Sequence, residues 1–309
     1  KNELNWLNRY GIQIPNSCHI FDCQLAEFLI SHQQLRFPSL DGACARLGLG
    51  QKTDVVGGYW ARGIDTPDIP SEDLFPYLEQ DLILTDRLAE CQKMELVEKG
   101  LMPLFRLQCQ DIKTLCSMEQ NGIKFDFDRM EANAETLEEQ IVELEEQLYE
   151  WADDFPINWD SNEHISALLY GGIAVAKTKT PTMHTYKRGI KAGNTEVRYQ
   201  HSRSERVCER LVQPLVGSNL KKEGYYSTDA NVLRQLHATG KVRNLVNTIL
   251  KRSELMKLLT TSYRGIPKLV DTMDWQDGLV HGALNQVVAR TGRLSASKPN
   301  QQNFPPEMQ

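Results

Sequence analysis

Apolar residues recur at steps of three and four over long stretches of the chain, and the breaks between those stretches divide it into three regions. Up to about residue 100 the texture is mixed. A short helical start at Leu4, Trp6 and Leu7 leads into an extended Ile20-Phe21-Asp22, and helices are predicted at 23–31, 39–47 and 71–95, as at the end of an α/β domain. The run Gly57-Gly58-Tyr59-Trp60, continuing through Pro67 and Pro70, argues against regular structure between them. From about 101 to 270 helices dominate, starting at 102–120 and stopping at the Asn121-Gly122 turn. Asp126 or Asp128 then caps a long helix in which Met130, Ala134, Leu137, Ile141, Leu144 and Leu148 form an apolar face opposite a densely acidic one. That pattern predicts an antiparallel helix pair or coiled coil. A second helical block opens at Ser227-Thr228-Asp229 and runs, broken at Gly240, through Leu245, Val246, Ile249, Leu250, Leu255 and Leu258. From about 271 onward, Gly278 to Leu284 predicts a strand after a turn, and the polar remainder through Pro305-Pro306-Glu307-Met308-Gln309 reads as cut inside a third domain.

Composition fits a globular chain with room for two cores: 309 residues, 40% hydrophobic and 25% charged. No apolar run reaches the roughly 18 residues of a membrane span, so no membrane partner is expected, and Lys1-Asn2-Glu3-Leu4 is neither a signal peptide nor an initiator methionine. Seven cysteines without a Cys-x-x-Cys pair suit reduced thiols and a cytoplasmic location. Cys18, His19 and Cys23 lack the further ligands a zinc site needs. Charge changes the picture more. The net −6 hides residues 177–222, where eleven Lys/Arg face three Glu, a local +8 that leaves −14 over the rest. A basic stretch in an acidic chain can hold a polyanion; the plainer reading is a solvated loop at the far end of a helical stalk.

Candidate chemistry is sparse. Tyr77 and Asp81 stand four apart on one helix face, where a phenol and a carboxylate can both reach a metal-bound water. Tyr149 and Asp153 repeat the spacing on the acidic helix, so spacing alone says little. Hydrolysis by two cations needs several convergent carboxylates, and Glu3 and Asp22 are candidates for a further ligand. Thr291-Gly292-Arg293-Leu294-Ser295 and Pro299-Asn300-Gln301-Gln302-Asn303, read by themselves, form a surface loop.

Taken together these segments resemble the family A, DNA polymerase I-like enzymes. Lys1 to Ile12 looks like the second motif of the proofreading 3'-5' exonuclease, with Asn2 where the family has an aromatic and Glu3 where it has Asp. Tyr77 and Asp81 match the third such motif, while Asp22 matches a segment expected to be structural or peripheral. Met102-Pro103-Leu104 and Glu119 to Asp126 resemble the approach to the thumb. Ser227-Thr228-Asp229 and Lys257 to Tyr263 resemble its returning helices, the latter with one extra residue. Gly282 to Gln286 and Thr291 to Pro305 resemble the text preceding the first catalytic palm carboxylate.

The resemblance implies a fold and a division. Residues 1–100 would be the C-terminal part of a ribonuclease H-like α/β exonuclease domain. Residues 101–270 would be a mainly α-helical thumb with a basic insertion at 177–222, longer than in compact bacterial forms and phage-like. Residues 271–309 would hold the first strands of an α+β palm. It implies nuclease roles for Glu3, Tyr77 and Asp81, with Glu3 and Asp81 as metal ligands. DNA contacts fall to Lys257, Thr261, Tyr263, Arg293, Asn300, Gln302 and Asn303. The implied cofactor is Mg2+ in two-metal sites completed outside this chain, so these residues alone should neither polymerise nor proofread. The implied partners are primer–template DNA, single-stranded DNA and, in the intact enzyme, deoxynucleotides; a phage-encoded protein would work in the host cytoplasm. A different reading is a non-catalytic DNA-binding subunit of a split polymerase whose partner chain carries palm and fingers. A third is a nuclease-derived scaffold that binds protein through its acidic helix.

Overall fold

The computed structural model describes residues 1–15, 17–51, 53–185 and 195–304. In chain order its elements are helices α1 (Asn2–Arg9), α2 (Cys23–Ile30), α3 (Leu40–Leu47), α4 (Val55–Trp60), α5 (Ser71–Glu98) and α6 (Met102–Asn121), and strand β1 (Ile123–Lys124). Helices α7 (Phe127–Tyr149) and α8 (Asn162–Tyr170), strands β2 (Gly172–Thr185) and β3 (Thr195–Cys208), and helices α9 (Ala230–Gln235), α10 (Gly240–Leu258) and α11 (Gly265–Met273) follow. Strands β4 (Leu279–Val280), β5 (Ala283–Asn285) and β6 (Ser295–Ser297) complete this mixed α/β architecture. The chain divides into two compact units, Lys1–Asp126 with the chain from Lys268 onward, and Phe127–Pro267.

In the first unit, Leu25, Phe28 and Leu29 of α2 pack with Leu96 of α5 and with Phe105 and Ile112 of α6. Helix α2 starts where the Asp22 carboxylate accepts the Leu25 N–H at 2.9 Å. Helix α3 starts on the Ser39 hydroxyl and ends at Gly48 in the left-handed region. Its Ala43 and Cys44 meet Leu84 and Leu88 of α5. Glu27, almost fully buried, takes two bonds from the Arg46 guanidinium (2.7 and 2.9 Å) and one from Gln92 (3.0 Å), fastening α2, α3 and α5. The Gly57–Trp60 run, expected to be irregular, is instead helix α4. Asp54 accepts the Gly57 N–H at 2.8 Å, and a Cβ at Gly57 would run into that carboxylate. The cap therefore uses the glycine that composition reads as a breaker, and the Tyr59 hydroxyl anchors the turn to Asp73 at 2.5 Å.

The second unit carries the predicted helix pair: α7 packs on α10, with Met130, Ala134, Ile141 and Leu148 buried and Leu137 and Leu144 half-buried. Its main core joins Leu148, Ile165, Leu169, Leu233, Leu245 and Ile249. The acidic face of α7 is partly neutralised from within. Arg264 bonds Glu131 and Glu138, and the buried Arg252 bonds Glu145 and Asp160. The basic stretch is a ribbon up to Cys208, where β2 and β3 pair antiparallel over fourteen positions from Gly172↔Cys208 to Thr185↔Thr195, and irregular chain from 209 to 222. Lys187, Arg188 and Lys191 of that stretch, like the run Pro305–Gln309, lie outside the described residues.

Candidate functional site

Helix α5 sets Tyr77 and Asp81 one turn apart on the stripe that continues into buried Leu84 and Leu88, so both are half-buried at the edge of a core. Asp81 lines a cleft of about 890 Å³ together with Glu3, Asp22, Glu27, Leu78 and Leu82. Tyr77 stands outside that lining. The cleft carboxylates differ in their duties. Asp22 caps α2, Glu27 holds Arg46, and the Glu3 side chain is 86% exposed at the start of α1. Among the described residues no three of His, Cys, Asp and Glu converge to hold a metal ion, so the residues present do not make up a divalent-cation site. Burial pushes the thiol of Cys23, which also lines the cleft, up to about 12, with the nearby Asp22 charge adding to the effect.

The polar run near residue 300 hangs on the β5–β6 hairpin, where Ala283 pairs with Ser297, Leu284 with Ala296 and Asn285 with Ser295. Leu284 and Ala296 tuck inward against Leu115 of α6. Gly292 turns the connecting loop at φ +74°, leaving Thr291 and Arg293 exposed on either side. Further on, a Cβ at Gly282 would meet the Gln301 amide at 2.6 Å and the Pro299 carbonyl at 3.1 Å, so glycine lets the run lie against the hairpin. Asn300 accepts the Gln302 N–H at 3.2 Å, and the Gln302 amide donates to the Leu294 carbonyl at 3.2 Å. These bonds fix the run while Arg293, Asn300, Gln302 and Asn303 remain exposed.

Lys257, Thr261 and Tyr263 cluster where α10 gives way to a π-helical turn, Leu259–Tyr263, closed by the Arg264 N–H on the Leu259 carbonyl at 2.8 Å. A π turn, closed between residues five apart, holds one residue more than an α turn. Tyr263 is 4% exposed, leaving Lys257 and Thr261 as the two that reach solvent.

Glu119, which in the sequence only opens the segment leading to the Asn121-Gly122 turn, has a bonding role that sequence reasoning missed. Its carboxylate takes the Lys1 ammonium (2.5 Å), the Asn5 amide (2.8 Å) and the Leu284 N–H (2.6 Å), linking α1, α6 and β5. Its backbone carbonyl faces His281 Nδ1 at 2.9 Å. The one available signal was its place just before Asn121-Gly122, where the chain turns into β1.

The mixed α/β architecture is consistent with a polymerase POL-domain fold. A solved structure, the POL domain of Pol1 from M. smegmatis in complex with DNA primer-template and dNTP, matches 92% of this chain and 38% of that one, with a TM-score of 0.59 at 21% identity. Residues 200–309 match the family described as DNA polymerase family A. The chain is 27% identical over 300 residues to DNA polymerase I of Chloroflexus aurantiacus, covering 96% of this chain and 27% of that protein. It is likewise 27% identical over 249 residues to the thermostable DNA polymerase I of Thermus thermophilus, covering 81% and 23%. The chain is thus similar to family A DNA polymerases, most specifically over residues 200–309, and spans about a quarter of the length of these curated relatives. No helix among the described residues is long and apolar enough to cross a membrane.

Proposed function

We propose that this chain is a DNA-holding part of a family A DNA-directed DNA polymerase. In this reading residues 1–100 belong to the 3'-5' exonuclease, 101–270 to the thumb and 271–309 to the opening of the palm. The observation that carries it is the exposed Arg293, with Asn300, Gln302 and Asn303, held on the β5–β6 hairpin inside the stretch that matches the family. A planar guanidinium and side-chain amides can bond minor-groove acceptors and backbone without choosing a sequence. Lys257 and Thr261 add contacts to the backbone, with Tyr263 packing the turn that presents them. That the similar M. smegmatis structure holds DNA primer-template and dNTP supports the same class of ligand here. Asp81, with Tyr77 and Glu3, serves the nuclease, and Mg2+ would supply the charge stabilisation of both reactions in the intact protein. In this reading both metal sites are completed by residues outside this chain.

In the intact protein, Arg293→Ala should slow primer extension by an equivalent of about 1–3 kcal/mol while sparing hydrolysis of single strands. Asp81→Ala should do the reverse, abolishing removal of a mismatched primer end and sparing synthesis. Wild-type extension by Arg293→Ala would overturn the assignment of the polar run to DNA.

A further inference from the structure

The β2–β3 ribbon has two unlike faces. Ala174, Ala176, Arg206 and Cys208 share the one that turns inward at its base, where Ala174 and Cys208 pack against Ala167 and Arg206 reaches the carbonyls of Trp151 and Ala152. In its middle this face carries uncharged polar groups, Thr178, Thr180, Gln200 and Ser202, with the Thr178 and Ser202 hydroxyls bonded to each other, before the Thr182–Arg198 and His184–Glu196 pairs at the far end. The opposite face is exposed and cationic. Lys177 stands directly across from Arg203, and Lys179 across from His201.

Like charges directly opposed on a ribbon destabilise it, and Glu205, bonded to Arg203 at 2.5 Å, offsets only part of that repulsion. Beside them Lys179 lies 4.0 Å from the centre of the Tyr199 ring, which is 52% exposed. Over the middle of the ribbon, cations and an aromatic ring on one face, against hydroxyls and an amide on the other, serve no packing purpose where both faces are exposed. A local conflict of this kind marks a binding surface. Residues two apart on one strand lie about 6.8 Å apart, so Lys177 and Lys179 form a row able to follow one nucleic-acid backbone. A two-stranded ribbon also fits the major groove of a duplex. With −14 over the chain outside 177–222, a polyanion is drawn to this face rather than to the rest.

We propose that the outward face of this ribbon, centred on Lys177, Lys179, Tyr199 and Arg203, is a further DNA-contact surface that grips the phosphates of duplex DNA without reading its sequence. The proposal rests on the polymerase reading and adds to it a site separate from the polar run on the β5–β6 hairpin.

The test follows binding of a labelled primer–template duplex to this chain by fluorescence anisotropy across a KCl titration. The outward-face variant Lys177→Gln/Lys179→Gln/Arg203→Gln is compared with Thr178→Ala/Thr180→Ala/Ser202→Ala on the opposite face. The outward-face variant should bind about tenfold more weakly or worse at low salt, and its slope of log K against log salt should be shallower by about 2–3, at about 0.9 per phosphate contact. The opposite-face variant should keep both values. If the triple variant melts early, the single Lys177→Gln decides, with an expected slope change of about 0.9. Tight wild-type binding with an unchanged slope in the outward-face variant would overturn the ribbon proposal and leave the polymerase reading standing. Loss on single strands with duplex binding intact would do the same. A wild-type chain that fails to bind the duplex would overturn both.

Discussion

Glu119 shows how much of this molecule depends on single side chains far apart in sequence. Its carboxylate is 11% exposed and gathers an ammonium, an amide and a backbone N–H, so Glu119→Ala takes this acceptor from the Asn5 amide and the Leu284 N–H and leaves the Lys1 ammonium with the Leu284 carbonyl. The expected cost is about 2–3 kcal/mol of unfolding free energy, readable from a urea titration. The role was invisible in sequence because its partners lie more than a hundred residues away. Asp81 and Arg293, by contrast, are singled out in sequence by the resemblance of the text around them to one family. Their surroundings are not: that Asp81 continues a buried stripe, and that Gly282 lets the polar run settle on its hairpin, depends on tertiary contacts.

The thiols give a second check at this scale. Cys18 is exposed, whereas Cys23 and Cys109 are raised to about 12 and about 11, chiefly by burial. Iodoacetamide near pH 8 should label Cys18 well before either, as counted by mass spectrometry. The sign is fixed by linkage: with the folded Cys23 thiol above its ordinary 9.0, its contribution to stability is whole below about pH 9 and is lost as pH climbs through about 12.

Among the elements, the long helices were read within a few residues because one face of each is buried, and burial imposes the three-four periodicity. Helix α4 and the β2–β3 ribbon were not, for opposite reasons. Helix α4 holds two glycines, one of which its cap requires. The ribbon is built from Lys, Thr, Ser and Arg exposed on both faces beyond Ala176, so it lacks the alternating apolar signal by which a strand declares itself. The helix pair has its own test. Arg252 is 5% exposed, but Glu145 and Asp160 reach water, at 39% and 60%. Arg252→Ala therefore strands no buried charge, and its cost should fall below the 3–5 kcal/mol of a fully buried pair, at about 1–3 kcal/mol from lost packing and bonds. A loss beyond that range in a thermal or urea melt would mean that the carboxylates are held more tightly than their exposure indicates.

For the whole molecule, the net −6 is a poor guide to its partner, because charge of one sign is collected along one segment. Duplex binding should therefore be strong at low salt and weaken steeply as counterions compete for the phosphates. The most direct measurement is the affinity of the folded chain for a primer–template duplex across a series of KCl concentrations. The account predicts a straight fall of log K against log salt, with a slope corresponding to several phosphate contacts. A chain that is folded by circular dichroism yet binds no duplex at low salt would contradict it.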